Sequence, residues 1–212
     1  MSDADRAPIA RQRGEAYRLL SALFADPLDA EAIGRTASVP AEAPVDDGFA
    51  GELLSVFRQT PDRQQLADRL AVEHARLFRG IREGYGPPPP YESLWREGQL
   101  MGDSTVRVAT RYLEAGYRPE GRFAPCDHIV EELRFMAALC NAEHEARQAG
   151  RTQDARQARD QQQRFLDEHL TTWMGGYCQT LAEQSQEPLY QSLARMTTTV
   201  LEQDALQLRG DA

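Results

Sequence analysis

The sequence predicts an all-α protein, a compact single-domain bundle in which several amphipathic helices pack around one core. Apolar residues recur at three- and four-residue steps through most of the chain, and no segment alternates apolar and polar residues as a half-buried strand does. The 212 residues are enough to bury a sizeable core. We therefore expect one domain over residues 1–212, with flexible ends at 1–8 and 207–212 and internal loops at 40–47 and 80–91.

Three helices are predicted in the first part of the chain. Residues 9–25 form the first, which ends before Pro27 because proline cannot continue a helix. A short helix follows the acidic link at 40–47. Thr60 is typical of an N-cap, and a third helix runs from there to Gly80. The apolar positions expected to face the core are Tyr17, Leu20, Leu23 and Phe24, then Phe49, Leu53, Val56 and Phe57, then Leu66, Leu70, Leu77 and Phe78.

The strongest helical pattern in the chain follows Pro125. A shorter helix precedes it, with an N-cap expected at Asp103 or Ser104 and a left-handed C-terminal residue at Gly116. Acidic residues after Pro125 would be stabilised by the positive end of the helix dipole. The apolar stripe of the helix that follows Pro125 consists of Ile129, Leu133, Met136 and Cys140.

Two more helices are predicted near the end of the chain. Thr152 can cap the first of them, and Gly175 and Gly176 are expected to bend or break it. Pro188 introduces the last helix. The apolar positions are Phe165, Leu166, Leu170 and Trp173, followed by Leu189, Leu193, Met196 and Val200.

Four consecutive prolines at 87–90 interrupt the helical pattern and predict a stiff, extended connector. Tyr91 and Trp95, which follow it, would lie one turn apart on a helix. Two interpretations are open. The aromatic residues could complete the core beside a rigid strap, or they could form the wall of a peptide groove in which Glu92 meets an arginine.

Asp127 and His128 lie at the first turn of the strongest helix, immediately after a loop. In one interpretation Asp127 accepts hydrogen bonds from free amides and His128 packs at the junction. In the other, both polar groups lie at the mouth of a groove. The residues alone favour the first interpretation.

The composition excludes several classes of function. A net charge of −9 would repel a nucleic-acid phosphate backbone. Every basic residue is arginine, so neither the lysine of a phosphate-binding loop nor Schiff-base chemistry is available. The apolar runs are too short for a membrane span, and the first residues contain no apolar signal-peptide core. We expect a cytoplasmic protein.

A metal-binding or enzymatic helical bundle is the alternative to a binding protein. Its ligands would be His128, Cys140 and His144, of which the last two lie one turn apart. No histidine has a glutamate three residues before it, as a di-iron site would need. The position of Cys126 at a helix start could lower its pKa, but the favoured interpretation is a partly buried cysteine at the entry to the helix. We expect no metal and no cofactor.

Four segments, "PPPPYESLWREG", "STVRVATRYLEAGY", "PCDHIVEELRFMAAL" and "FLDEHLTTWMGGYCQTL", together resemble the TorD/DmsD/NarJ family of molybdoenzyme maturation chaperones. They occur in the order expected for that family and span roughly residues 10–205. The Asp-His pair that opens a helix is the most specific element. The resemblance implies an all-α domain of the TorD-like type.

The resemblance also implies a function without catalysis. Members of the family bind the apo form of a molybdenum-bisMGD oxidoreductase of the DMSO reductase superfamily until its cofactor is inserted, and many bind its twin-arginine signal peptide and so delay export. The partner would be the catalytic subunit of such an enzyme, bound by a monomer or a domain-swapped dimer. Asp127 and His128 match the family motif tied to client binding. The expected binding residues are Tyr91, Glu92, Trp95, Asp127, His128 and Glu131.

Overall fold

Helices make up most of the computed structural model, which describes residues 3–38, 49–80, 86–119, 121 and 123–210. Over these ranges no strand is present, and one isolated antiparallel bridge pairs Tyr91 with His128. The predicted all-α class is therefore confirmed. None of the helices in these ranges has both the length and the apolar character needed to cross a lipid bilayer.

The helices and one π-helical turn follow one another along the chain. In chain order they are α1 (Asp3–Ala25), α2 (Ala30–Ala37), α3 (Phe49–Gln59), α4 (Arg63–Phe78), α5 (Glu92–Glu97), α6 (Asp103–Glu114), α7 (Ile129–Gln148), α8 (Thr152–Phe165), a π-helical turn (Leu166–Leu170), α9 (Thr171–Gln184) and α10 (Pro188–Gly210).

The chain divides into two compact units. The first contains Met1–Ala22, Pro90–Tyr177 and Thr198–Ala212, and the second contains Leu23–Pro89 and Cys178–Thr197. The expectation of a single domain over 1–212 is not tested by this division and stays a prediction.

Aromatic rings form the centre of each unit. In the first unit the ring of Phe135 lies 4.7 Å from the rings of both Tyr112 and Phe165, between centroids. In the second unit Phe78 contacts Phe24 edge to face, and the Nε2 atom of His74 donates a hydrogen bond to the Phe24 carbonyl, 3.2 Å away. Burial lowers the pKa of His74 to about 4, so this ring is neutral at physiological pH.

Most of the predicted apolar stripes are buried, as the helical periodicity indicates. Three positions, Val56, Met196 and Val200, are only partly buried, and the side chains of Phe49 and Leu53 lie outside the described residues. The buried positions are Tyr17, Leu20, Leu23, Phe24, Phe57, Leu66, Leu70, Leu77, Phe78, Ile129, Leu133, Met136, Cys140, Phe165, Leu166, Leu170, Trp173, Leu189 and Leu193.

The N-cap predicted at Thr60 is wrong. Its hydroxyl donates to the Val56 carbonyl, 2.9 Å away in the preceding helix. Asp62 caps α4 instead, because its carboxylate accepts the Gln65 amide at 2.9 Å.

Two more predicted caps are displaced by one residue or two. Gly102 is the N-cap of α6, while the amide of Ser104 donates to Glu97. Arg151 precedes α8, of which Thr152 is the first residue. Gly116, by contrast, adopts the predicted left-handed conformation at φ +67°, and Gly80, where the preceding helix was predicted to end, is left-handed as well at φ +55°.

The break predicted at Gly175 and Gly176 is also wrong, because α9 passes through both. Buried side chains on either side, Trp173, Met174 and Tyr177, hold this part of the helix and offset the roughly 1 kcal/mol that each glycine costs in a helix interior. The irregularity lies earlier, in the π-helical turn.

The predicted loops and ends are described only in part. Residues 40–47 and 81–85 lie outside the described ranges, and 86–90 contain no helix. Helix α1 begins at Asp3 and α10 runs to Gly210, so helix extends into both segments predicted as flexible ends. Their flexibility stays a prediction.

Candidate functional site

Backbone hydrogen bonds hold the start of α5 against the start of α7, in a region that we call the α5–α7 junction (residues 90–97 and 126–132). The Ile129 amide donates to the Pro90 carbonyl, and the Glu92 amide donates to the Asp127 carbonyl, each at 2.9 Å. These bonds flank the bridge between Tyr91 and His128. The structure thus brings together residues 91–92 and 127–128, which the sequence predicts as one site.

Asp127 supplies the cap that α5 lacks in its own sequence. Tyr91, the N-cap residue of α5, makes no side-chain capping bond. The Asp127 Oδ2 atom instead accepts the Ser93 amide at 2.9 Å, and the carboxyl group is completely buried. Its Oδ1 atom has no hydrogen-bond partner among the described residues.

His128 is the N-cap of α7. Its Nδ1 atom accepts the Val130 amide at 3.2 Å, so in the neutral ring the proton lies on Nε2. The imidazole stacks on Phe123, with ring centroids 4.6 Å apart, and meets the Tyr91 ring edge to face at 4.8 Å. The Tyr91 hydroxyl donates to the Ala124 carbonyl at 3.3 Å. The histidine is held in place from both sides.

Glu92 is completely buried and has two cationic or protonatable neighbours. Arg96 donates to Oε1, and the Nδ1 atom of His169 lies 2.8 Å from Oε2. His169 belongs to the π-helical turn and is itself buried. A buried carboxylate is stable only with such compensation, because its charge is no longer solvated by water.

A second buried carboxyl group, Glu132, lies beside Glu92. Burial in the first place, and then the neighbouring Glu92 carboxylate, raise the pKa of Glu132 well above its ordinary value. The raised pKa favours the protonated form of Glu132, whose Oε2 atom accepts the indole N–H of Trp173 at 3.1 Å. Protonation of Glu132 avoids a second buried negative charge beside the Glu92 carboxylate.

The remaining predicted residues also have partners within the chain. Glu131 is completely buried and accepts from Arg134 at 3.0 Å. Trp95 is partly exposed and packs edge to face on Tyr177 at 5.3 Å. All three predicted carboxylates are therefore inaccessible to a client in this conformation, whereas Tyr91 and Trp95 present part of their rings. The client-binding role of all six residues stays a prediction.

The sequence predictions missed two members of this network, Glu132 and His169. Both lie on stripes that the periodicity marks as buried: Glu132 is three residues after Ile129, and His169 is four residues after Phe165 and four before Trp173. A polar residue on an otherwise apolar stripe was the available signal, because such groups require a buried partner.

The ligands of the metal-site alternative each have another partner. Cys140 is buried with its Sγ atom 3.5 Å from the Gln162 side-chain oxygen, and burial raises its pKa to about 12. The Nδ1 atom of His144 lies 2.8 Å from the Ala7 carbonyl. No group of three or more His, Cys, Asp or Glu residues is placed to hold a metal ion within the described part of the chain.

The lowered pKa suggested for Cys126 is wrong. Burial raises the pKa of this thiol to about 11, and its Sγ atom lies 3.6 Å from the Thr105 carbonyl, to which the thiol donates. A raised pKa disfavours the thiolate that nucleophilic chemistry would need.

Comparison with known proteins agrees with this architecture. The family model described as nitrate reductase delta subunit matches residues 42–179, more than half of the chain. The chain belongs to this family. The chain is 26% identical to the chaperone protein TorD of Vibrio cholerae over 204 residues, which cover 91% of this chain and 90% of that protein.

Two further proteins resemble the chain. The selenate reductase assembly chaperone protein of Thauera selenatis is 48% identical over 48 residues, which cover 23% of this chain and 24% of that protein. The crystal structure of a redox enzyme maturation protein from Archaeoglobus fulgidus has the same fold, with a TM-score of 0.54 at 19% identity over 90% of this chain and 93% of that one. Family membership confirms the predicted resemblance and supports a maturation role without catalysis.

Replacing Asp127 by alanine is expected to lower the free energy of unfolding by about 1–3 kcal/mol, because the buried Ser93 amide then loses its acceptor. Urea unfolding followed by circular dichroism measures the change. Asp127→Asn is the matched control, since it retains an acceptor oxygen and should lose less. Stability equal to that of the unchanged protein would contradict a structural role for this carboxylate.

Replacing Glu132 by glutamine is expected to stabilise the protein increasingly as pH rises from 5 to 8. The raised pKa means that the unfolded chain loses this proton at a lower pH than the folded protein, so above the ordinary glutamate pKa the native state loses stability with rising pH. Glutamine mimics the protonated form and carries no such penalty. Melting temperatures at several pH values test this, with the exposed Glu202→Gln as control; a pH-independent difference would contradict it.

Proposed function

We propose that this protein is a cytoplasmic, system-specific chaperone for the catalytic subunit of a molybdenum-bisMGD oxidoreductase of the DMSO reductase superfamily. It would bind the apo subunit, assist cofactor insertion and delay export. The observation that carries the proposal is the match to a TorD chaperone along 91% of the chain. The proposed site is formed by Tyr91, Glu92, Trp95, Asp127, His128 and Glu131. A single domain, present as a monomer or as a domain-swapped dimer, is part of the same proposal.

Such a chaperone acts through differential binding rather than chemistry. A ligand shifts an equilibrium only by its difference in affinity for the two states. The protein therefore has to bind the cofactor-free subunit more tightly than the loaded one, so that cofactor insertion itself triggers release. A hundredfold preference corresponds to about 2.7 kcal/mol of difference in binding free energy.

A twin-arginine leader suits the chemistry of the α5–α7 junction through exchange of guanidinium groups. The buried Glu92 and Glu131 are bound by Arg96 and Arg134, whose side chains are 29% and 24% exposed. Two client arginines could take the places of these two, so that no buried carboxylate would lose its partner at any stage. The partly exposed rings of Tyr91 and Trp95 offer contact to the apolar part of the leader.

Deleting the gene in its own host is expected to abolish most of the activity of one molybdenum oxidoreductase, with restoration by a plasmid-borne copy. The activity of each such enzyme is measured in extracts, and the amount of its catalytic subunit by immunoblot. The enzyme that loses activity is the client. Undiminished activity of every molybdenum enzyme in the deletion strain would contradict the proposal.

Titration of the protein with the leader peptide of that client tests whether the two arginines of the leader are recognised. We expect at least tenfold tighter binding of the native peptide than of its Lys-Lys variant, because the arginine fork pairs with a carboxylate through two hydrogen bonds and lysine does not. Isothermal calorimetry measures both. Equal affinities would contradict arginine recognition, and absence of binding to either peptide would place the contact on the mature apo subunit.

A further inference from the structure

Large apolar side chains are exposed in one short segment of the chain. Seven such side chains are exposed among the residues whose burial is described, and four of them lie between positions 100 and 113. They are Leu100 (48% exposed), Met101 (76%), Val106 (66%) and Leu113 (80%). We call this set the α6 surface. Exposed apolar side chains that are concentrated in one segment are typical of an interaction surface.

Helix α6 has a second apolar face in addition to the one that it buries. Ser104, Val108 and Tyr112 point inward and are buried. Val106 and Leu113 are seven residues apart, which places them on one side of the helix about 10.5 Å apart along its axis. Ala109 and Thr110, between them, are exposed as well. The outward stripe has no partner in the packing of the described residues.

The loop before α6 holds Met101 in an unfavourable conformation. Its φ is +60°, the sole positive value for a non-glycine residue in the described ranges. Such a conformation costs energy for a residue with a Cβ atom and a bulky side chain, and this side chain is too exposed for internal packing to compensate it. Strain of this kind at an exposed position is typical of a contact site.

Hydrogen bonds to Glu97 fix the loop on the start of α6. Its Oε1 atom accepts the Ser104 amide at 2.8 Å and also the Ser104 hydroxyl. A Cβ atom at Gly102 would lie 1.8 Å from the Glu97 Oε2 atom, so a larger residue there would displace the Glu97 side chain. Leu100 and Met101 are thus presented by an ordered turn, which reduces the conformational entropy lost on binding.

The charges beside the α6 surface are paired within the chain. Arg107 donates to the Ser104 hydroxyl at 2.7 Å and lies 3.5 Å from Glu97. Arg111 binds both Glu114 and Glu168 at 2.7 Å. Two arginines are thus set against three glutamates, so the charge balance here is slightly negative and disfavours an anionic lipid headgroup. Because these charges are bound to one another, the exposed apolar side chains are the main contact that this surface offers a partner.

The area of the α6 surface suits transient binding. A large apolar side chain contributes on the order of 60–120 Å² of buried surface, so four contribute roughly 250–500 Å², against the roughly 800 Å² per partner of a stable protein interface. A stable dimer of this chain would require a larger interface than this. A smaller area suffices for a chaperone that binds its client only transiently.

We propose that the α6 surface binds an apolar segment of the incompletely folded client, in the mature part of the catalytic subunit. This inference rests on the proposed chaperone function and deepens it, because it assigns a second contact that is chemically distinct from the one at the α5–α7 junction. The bound segment is one that becomes buried in the client when the cofactor is inserted, so its loss from the surface accompanies release.

The test replaces Val106 and Leu113 together by glutamine, a good helix former that removes the apolar contact. The matched control replaces Val72 and Leu206 by glutamine, since these are 66% and 72% exposed elsewhere on the molecule. Binding to the leaderless apo subunit identified by gene deletion is measured by biolayer interferometry. We expect at least tenfold weaker binding for the first variant and less than a twofold change for the control.

The substitution Met101→Gly is expected to weaken binding of the apo subunit without lowering the stability of the protein. Glycine adopts a positive φ without strain, so the melting temperature should stay the same or rise, while the loss of the side chain should weaken binding several-fold. A variant that binds more weakly although it is no less stable cannot be explained by misfolding. Unchanged binding of the apo subunit by both this variant and the double glutamine variant would overturn the proposal.

A second probe separates failure of this inference from failure of the proposed function. Reduced and carboxymethylated α-lactalbumin remains unfolded and requires no knowledge of the client. Its binding by the unchanged protein, lost in the double glutamine variant, would support the α6 surface even where gene deletion leaves every molybdenum enzyme active. A dimer that the double variant abolishes, with apo-subunit binding intact, would overturn the inference in favour of self-association.

Discussion

The burial of four carboxyl groups at the α5–α7 junction is the constraint on which the surrounding structure depends. Glu92, Asp127, Glu131 and Glu132 are all inaccessible to water, and each is compensated in a different way. Asp127 accepts a backbone amide, Glu92 binds Arg96 and His169, and Glu131 binds Arg134. The raised pKa of Glu132 favours its uncharged form. Four buried carboxylates without these compensations would be too costly for a domain of marginal stability. The positions of α5, of the start of α7 and of the π-helical turn follow from this arrangement.

Helical periodicity predicted the fold class and most of the buried positions, because both depend on local spacing. The caps were harder to predict. Thr60 and Asp62 are both suitable caps two residues apart, and the choice between them depends on a hydrogen bond to the preceding helix. The partners of the site residues could not be predicted either, because they depend on tertiary contacts. Glu92 and His169 are separated by 77 positions, and local spacing does not relate them. The family resemblance supplied Asp127 and His128, but not their burial.

A six-residue helix has little stability of its own, since isolated helices shorter than about 12 residues are marginal in water. Helix α5 is retained by bonds from outside it, through Asp127 at one end and through its own buried Glu92. Elements held by a few polar contacts open at lower free energy than those packed in a core. The exchange of internal partners for those of a client, which is proposed for the segment that carries Tyr91 and Trp95, would require only these few polar contacts to open.

Helix α5 also connects the two proposed contact regions. Glu92, at its first position, is bound to His169 and Arg96, while Glu97, at its last, fixes the loop of the α6 surface through Ser104. A client that displaces Arg96 changes the forces on one end of a helix whose other end orders Met101. Any change that binding at one region makes to affinity at the other has to be matched by the same factor in reverse, because coupling between two binding sites is reciprocal. Dissociation of the apolar segment from the α6 surface, as the client folds around its cofactor, would through such coupling lower the affinity of the α5–α7 junction for the leader.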